Sequence, residues 1–395
     1  MKQTETTETL TMQSTPDVQF DLCRVLEKQN GLGHDLVVID WQSHQECHLT
    51  LRPLPGERLA EMVRRLVAIL RKRNASIVRH EIFGPVSAYP ETLHALRHEL
   101  NGVDWPVTWI EGTALVSEGI SGMHIFAVAG TQVDTICQEG EPVGRIFSDG
   151  HLRHYLFGNL VPSNPSASKP MQCCETFEKM ERLLFEAGMG MANVARTWFF
   201  LDDILSWYGE FNSARNEFFK EKRLLNGLLP ASTGVGGQNP AGVAITGGAW
   251  AVQAMNSSVA VHAVPSPLQC PSLEYGSAFS RAVVVDTPPC RRLLISGTAS
   301  IGPDGRSLHV GDLQGQIELT MKVVRGILAS CGFDFSYVTR ATAYFKNIQD
   351  APAFDLWRKE QRLEPFPLIT TQSDICRPEL LFEIELDAIS FVKLN

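Results

Sequence analysis

Apolar residues recur along this chain at two spacings, helical and alternating, and the blocks they mark return in the same order three times. After Gly56 the run RLAEMVRRLVAILRKRN aligns Leu59, Met62, Leu66, Ile69 and Leu70 on one face, which predicts an amphipathic helix. A strand (SIVRHEIFG), a helix (YPETLHALRHEL), a segment PVTWIEG and a strand (GMHIFAVAG) follow it. After Pro170 the order returns: the helix ETFEKMERLLFEAGMG with Phe177, Met180 and Leu184 on one face, the strand VARTWFFLDD, the helix ILSWYGEFNSARNEFFKE, the segment LLPASTGVGG and the strand AGVAITGGAWAV. The third pass, from Gly311, runs through LQGQIELTMKVVRGILASCG, VTRATAYFKNI, DAPAFDLWRKEQ, FPLITT and LLFEIELDAI. Hairpin-like pairs, HLRHYLFGNLVPS and RAVVVDTPPCRRLLISGTASIG, introduce the second and third passes.

A repeat of this kind predicts an α+β fold of three αβ units, each an antiparallel sheet with helices on one face. The bare sheet faces must then bury one another, and a pseudo-threefold arrangement does this most simply. The expected division is a tail at 1–16 and units at 17–145, 146–262 and 263–395. Clefts between neighbouring units are the natural ligand sites. Arg79, Arg196 and Arg340 each stand two places after an apolar residue (Ile77, Val194 and Val338) at the start of the middle strand of their unit.

The last strand sets the third unit apart. Leu381, Phe382, Ile384 and Leu386 frame Glu383 and Glu385, which two-residue spacing places on one face. A carboxylate in so apolar a strand is costly to bury unless it is paired or protonated. The second unit has Ala244-Ile245-Thr246-Gly247 where the third has Phe382-Glu383-Ile384-Glu385, and the first unit is neutral there. Only one cleft is therefore expected to carry a carboxyl group at this place.

Composition narrows the function. The 395 residues are 44% hydrophobic and 20% charged, with a formal net charge of −9, which argues against nucleic acid and against an anionic membrane surface as partners. An anionic small molecule would need a local cluster of arginines. The start, MKQTETTETLTMQSTPD, lacks the basic and apolar regions of a signal peptide and reads as a solvated tail. No apolar run approaches the ~18 residues of a membrane span. Nine cysteines lack zinc-site or disulfide-framework spacing, so they give neither, and the cytosol is the expected compartment; no metal and no cofactor are expected. The glycine-rich STGVGGQNPAG does not open a helix or end in Lys-Ser/Thr, so it reads as a close backbone approach rather than a phosphate loop.

Tyr275-Gly276-Ser277-Ala278-Phe279-Ser280-Arg281, then Leu294-Ile295-Ser296-Gly297-Thr298-Ala299, then VTRATAYFKNI, FPLITT and FEIELDAI resemble the RidA (YjgF) fold segment by segment. RidA proteins are homotrimers with sites between subunits that use a strand Glu and an Arg after Phe-Pro. Here Ile369 stands at the arginine position, which counts against imine deamination. From about Asp17 onward the chain is more similar to the chorismatase family, in which RidA-type units share one polypeptide. The carrying motifs are Ala195-Arg196-Thr197-Trp198, Trp207-Tyr208, Phe211-Asn212 with Arg215, Pro230 to Gly237, Glu274 to Arg281, and Cys376-Arg377 before Leu380 to Glu383. The resemblance implies chorismate as substrate, release of pyruvate, and a ring product that is a hydroxybenzoate (3-hydroxybenzoate, with or without 4-hydroxybenzoate) or a dihydroxycyclohexadiene carboxylate. It also implies that the Ser-Gly-Thr-Ala region and Cys376 bear on that choice, with Cys376 pointing to the aromatic product and Ala299 giving no clear support.

Cleavage of a vinyl ether begins with protonation of its methylene carbon, and Glu383, raised in pKa by its apolar strand, is the candidate acid. Glu385 is read as structural support. A dianionic substrate calls for guanidinium contacts, with Arg196, Arg215, Arg281 and Arg358 as candidates. Arg196 has a rival architectural reading, because Arg79 and Arg340 share its position. Tyr208, Tyr275, Ser277, Thr298, Ala299 and Cys376 complete the expected binding set, Cys376 as lining rather than nucleophile. A non-catalytic small-molecule sensor is the competing reading. Three units in one chain make a monomer the simple expectation.

Overall fold

The structure, a computed structural model, describes residues 24–41, 43–115, 119–288 and 290–391, so the tail at 1–16 lies outside the described residues. The first unit comprises β1 (Arg24–Gly31), β2 (His34–Asp40), β3 (Gln45–Leu51), α1 (Leu59–Arg73), β4 (Ser76–Phe83), α2 (Tyr89–Leu100), β5 (Val107–Ile110) and β6 (Gly122–Ala129). The second has β7 (Val133–Gln138), β8 (Glu141–Ser148), β9 (Leu152–Leu160), α3 (Lys169–Glu186), β10 (Val194–Leu201), α4 (Ile204–Glu221), β11 (Ala231–Gly236) and β12 (Ile245–Ala254). The third has β13 (Ala260–Val264), β14 (Ala282–Thr287), β15 (Cys290–Ala299), α5 (Leu313–Ser330), β16 (Val338–Phe345), α6 (Ala351–Glu360), β17 (Leu368–Gln372) and β18 (Phe382–Phe391).

Each unit is one six-stranded sheet, in the orders β1-β2-β3-β6-β4-β5, β11-β10-β12-β9-β8-β7 and β13-β14-β15-β18-β16-β17. The repeat is therefore as expected, with three differences. The sheets are mixed: the segments read as connections are strands β5, β11 and β17, each parallel to the middle strand of its unit. That geometry follows from the helix crossing over between them, since a helical crossover returns the chain in the same direction. Strands β7 and β8 belong to the second sheet and β13 to the third, so the expected boundaries at 145/146 and 262/263 cut into those sheets. Residues 24–51, which carry no repeat signature, supply the first sheet with β1 to β3.

The helices cover one face of each sheet. Met62, Leu66 and Leu70 of α1, Phe177, Met180 and Leu184 of α3, and Ile317, Met321, Val324 and Leu328 of α5 are all buried against their own sheets. Cys173 joins the second of these cores, whereas its neighbour Cys174 is exposed. The Asp312 side chain caps α5 by accepting from the Gly315 amide at 3.0 Å. The opposite sheet faces meet in a fourth core built from all three units, including Phe83, Ile110, Phe126, Trp198, Phe200, Leu294, Tyr344 and Ile369. Among the described residues no helix is long and apolar enough to cross a membrane.

Phe177 is fully buried, with ring centroids 5.2 Å from Phe218 and 5.3 Å from Phe199. Phe177→Ala is expected to cost about 3–5 kcal/mol of unfolding free energy, read as a lower urea midpoint; an unchanged midpoint would show that the second core closes without it.

Candidate active site

Register fixes which positions are equivalent. Tyr344 of β16 pairs with Glu383, Phe83 of β4 pairs with Gly122, and Phe200 of β10 pairs with Thr246. Glu383 is thus level with Gly122 and Thr246, one place further along than the sequence match to Ile245. The expected inequality holds in the correct register: the carboxyl is present in the third unit alone. Between the third and first units Arg52 Nη1 donates to Asp35 at 2.5 Å and to the Leu368 carbonyl at 3.1 Å.

Between the second and third units lies a cavity of about 760 Å³ including its open mouth, lined among others by Glu383. Helix α4 presents Tyr208, Asn212 and Arg215 to it, spaced i, i+4, i+7 along one stripe. Strand β11 contributes Ser232 and Gly234, so the first half of the glycine-rich run is a strand that lines the cavity. The segment before β14 contributes Tyr275, Ser277, Phe279 and Arg281, and β15 contributes Gly297 and Ala299. Strand β15 bulges between Ile295 and Thr298, opposite β18. A Cβ at Gly297 would overlap the Glu383 Oε1 atom, so this glycine makes room for the carboxyl group.

Glu383 is 4% exposed. Burial, reinforced by the charge of Glu385 and opposed by Arg196, pushes its pKa up to about 8, so it holds its proton at neutral pH. Cys376 beside it is pushed up to about 12 by burial and by Glu383, which leaves a neutral thiol rather than a nucleophile. Burial also raises Tyr208, keeping its hydroxyl a donor. Arg215 Nη2 donates to Asn212 Oδ1 at 2.6 Å, and its buried Nε has no protein partner. Ser277 donates to the same Asn212 oxygen at 3.3 Å. Arg281 is tethered by two bonds to the Cys270 carbonyl, at 3.1 and 2.9 Å. Arg377 donates to the Gly305 carbonyl at 2.9 Å, and Arg281 and Arg377 lie 5.2 and 5.4 Å from the Tyr275 ring. Three guanidinium groups and one protonated acid thus share the cavity.

No protein-family model matches the chain. The 3-hydroxybenzoate synthase of Streptomyces hygroscopicus is 26% identical over 280 residues, covering 64% of this chain and 78% of that protein. Protein DfrA of Myxococcus xanthus is 32% identical over 72 residues, 18% of this chain and 53% of its own length. A solved chorismatase superposes with a TM-score of 0.60 at 18% identity, over 79% of this chain and 93% of that one. The chain is thus similar in sequence to a 3-hydroxybenzoate synthase and shares its fold with a chorismatase. A Rid-family protein from Yersinia pestis, 22% identical, covers 33% of the chain with 98% of its own at a TM-score of 0.27.

In this cavity, Glu383, Tyr208, Arg215, Tyr275, Ser277, Arg281, Ala299 and Cys376 come together as expected, and three expected residues do not. Arg196 lies behind the cavity, its Nη2 donating to Thr233 at 2.7 Å and to Glu385 at 2.5 Å. Thr298 pairs with Ile384, which faces the helix layer, and its hydroxyl donates to the Ser296 carbonyl at 2.8 Å; alternation along β15 turns it away from its cavity-lining neighbours Gly297 and Ala299. Arg358 sits on α6, away from the cavity, and donates to Asp355 at 2.5 Å. Ile369 is buried in the axial core. Sequence reasoning missed Asn212, Phe279, Gly297 and Arg377. Asn212 shares the α4 stripe with Tyr208 and Arg215, a signal the sequence did contain; the β15 bulge left none.

The Glu383 pKa rises from 4.5 in the unfolded chain to about 8 in the fold. Below pH 4.5 both states are protonated, and as pH rises towards 8 only the unfolded chain ionises, so this residue costs stability progressively across that window. Glu383→Gln removes the cost. The stability difference between variant and parent should grow by roughly a few kcal/mol from pH 5 to pH 8; a difference flat with pH in urea titrations would show an ordinary carboxylate.

Proposed function

We propose that this protein cleaves the enolpyruvyl ether of chorismate and releases pyruvate and a hydroxybenzoate, with 3-hydroxybenzoate the expected isomer. The observation that carries the reading is the Glu383 carboxyl, buried and protonated near neutral pH, facing a cavity whose other charged groups are Arg215, Arg281 and Arg377. Chorismate carries two carboxylates and an acid-labile vinyl ether, and the cavity offers the complement of each. The relative from Streptomyces hygroscopicus, a 3-hydroxybenzoate synthase, supports the same choice of product.

In this scheme the arginines grip the carboxylates and Tyr208 and Ser277 donate to substrate oxygens. Glu383 delivers its proton to the enol ether methylene carbon, which becomes the methyl group of pyruvate, and an oxocarbenium ion forms at the ether carbon. Water captured there gives a hemiketal whose collapse breaks the bond to the ring oxygen; pyruvate leaves, a dihydroxycyclohexadiene carboxylate remains, and the proton returns to Glu383. Loss of one ring hydroxyl and the neighbouring ring hydrogen from this diol as water then gives the aromatic hydroxybenzoate, so this route consumes no net water and chorismate has the atoms of pyruvate plus hydroxybenzoate. Cys376, a neutral thiol next to the acid, keeps the wall of the site without a base.

Purified protein given chorismate should release pyruvate, and mass spectrometry of the ring product should show hydroxybenzoate; the diol in its place would correct the product, and absence of pyruvate would refute the reading. Glu383→Gln should lower pyruvate release by about 100-fold or more while leaving substrate affinity near that of the parent. Arg281→Met should raise KM about 10- to 100-fold with a smaller effect on kcat, and an unchanged KM would remove Arg281 from the carboxylate grip.

A further inference from the structure

We propose that Glu385 is a positioning residue for the acid, and that the first unit, which contributes none of the cavity-lining residues, acts on the reaction through the arginines that hold Glu385. The proposal takes the reaction itself from the chorismate reading, but the arrangement of residues stands without it.

Glu385 is fully buried on the pseudo-threefold axis and accepts from donors on two units. Its Oε2 atom receives Arg196 Nη2 at 2.5 Å, the Thr233 hydroxyl at 2.5 Å and Trp198 Nε1 at 3.0 Å, all from the second unit. Its Oε1 atom receives Arg340 Nη2 and, at 3.2 Å, the Tyr344 hydroxyl. Arg340 Nη2 also donates to Glu81 of the first unit at 2.9 Å, and Glu81 is paired with Arg79. The Arg79 guanidinium stacks on Trp198 at 3.4 Å. The arginines that recur at one position of each unit thus form a single network with Glu81, Asp387 and Glu385.

This network meets the acid in two ways. Glu383 and Glu385 lie two residues apart on one strand face, so the saturated Glu385 is a fixed negative charge beside the acid. Thr233 links the two sites through space: its hydroxyl donates to Glu385 and accepts from the Gly297 amide at 3.0 Å, and Gly297 is the residue against which the Glu383 carboxyl rests. The titratable and charged groups facing Glu383 are Glu385 on its own strand, Arg196 from β10, and, around the cavity, Tyr208 and Arg215 from α4, Tyr275 and Arg281 from the segment before β14, and Cys376 and Arg377. Strand β15 faces it with the uncharged Gly297 and Ala299, and across β16 its partner is Tyr344. Of the arginines, Arg196, behind the carboxyl, is the one whose charge opposes that of Glu385 there. Remove the charge of Glu385, and Arg196 is left to draw the proton off Glu383.

The test is a titration of the Glu383 carboxyl, by difference infrared spectroscopy of each protein against its own Glu383→Gln form, alongside the pH profile of pyruvate release. Glu385→Gln should move the titration down by about one pH unit or more and shift the loss of activity at high pH by the same amount. Two substitutions in the first unit should act in opposite directions: Glu81→Gln, which removes a negative charge, downward, and Arg79→Met, which removes a positive charge, upward, each by about 0.3 units or more. General loosening of the fold would not split the signs. If all three leave the titration in place, or move it together in one direction, the positioning role is overturned; if Glu385→Gln fails to fold, the opposed pair decides. A wild-type protein that releases no pyruvate but shows the opposed shifts would end the chorismate reading and leave this one standing.

Discussion

The arrangement depends on a carboxylate that is ionised where no water surrounds it. Burial alone would raise the pKa of Glu385, yet Arg340, Arg196, the Thr233 hydroxyl and Arg79 together hold it low. An ion pair at such a depth rarely stabilises a fold much, because desolvation consumes most of the Coulomb energy. Breaking one is expensive, since it strands the surviving charge. The network therefore ties the three sheets to one another less by net attraction than by the penalty for separating them, and it fixes strand β18 in the register that brings Glu383 to the cavity.

Two carboxyl groups on one strand face end in opposite protonation states, and their surroundings explain the difference. Glu385 collects five side-chain donors, whereas Glu383 rests against Gly297 and Ala299 and gains burial without matching charge. The position two residues further on, Asp387, returns to the arginine network through Arg340 and Arg79. A single apolar strand thereby supplies an acid and its electrostatic support, and the period of two makes that possible.

The repeat, the helices and the singular carboxyl were legible because each is a local periodic signal. Met62, Phe177 and Leu184 declare their helix faces, and Glu383 stands out against Phe382 and Ile384. What was not legible depends on pairing across the chain. Strands β5, β11 and β17 are too short to show alternation, and their parallel partners come from beyond a helix. Boundaries near 145 and 262 were misplaced because β7 and β13 are edge strands of mixed exposure, with nothing in their residues to name the sheet they join. Arg196 shows the same limit at the site. Its sequence motif pointed to substrate, while its repeat position pointed to the axis, and only the partner 189 residues away, Glu385, decided for the axis.

The three equivalent arginines carry one more implication. In an assembly of identical subunits, whatever stands at such a position meets copies of itself, and three like cations would crowd together with identical neighbours. Joining the units in one polypeptide releases each copy from that symmetry. Arg79 can keep Glu81, Arg196 can take Glu385 and Arg340 can share both. Covalent fusion is thus what lets the centre of the molecule become lopsided, and a lopsided centre is what allows one crevice to differ from its siblings.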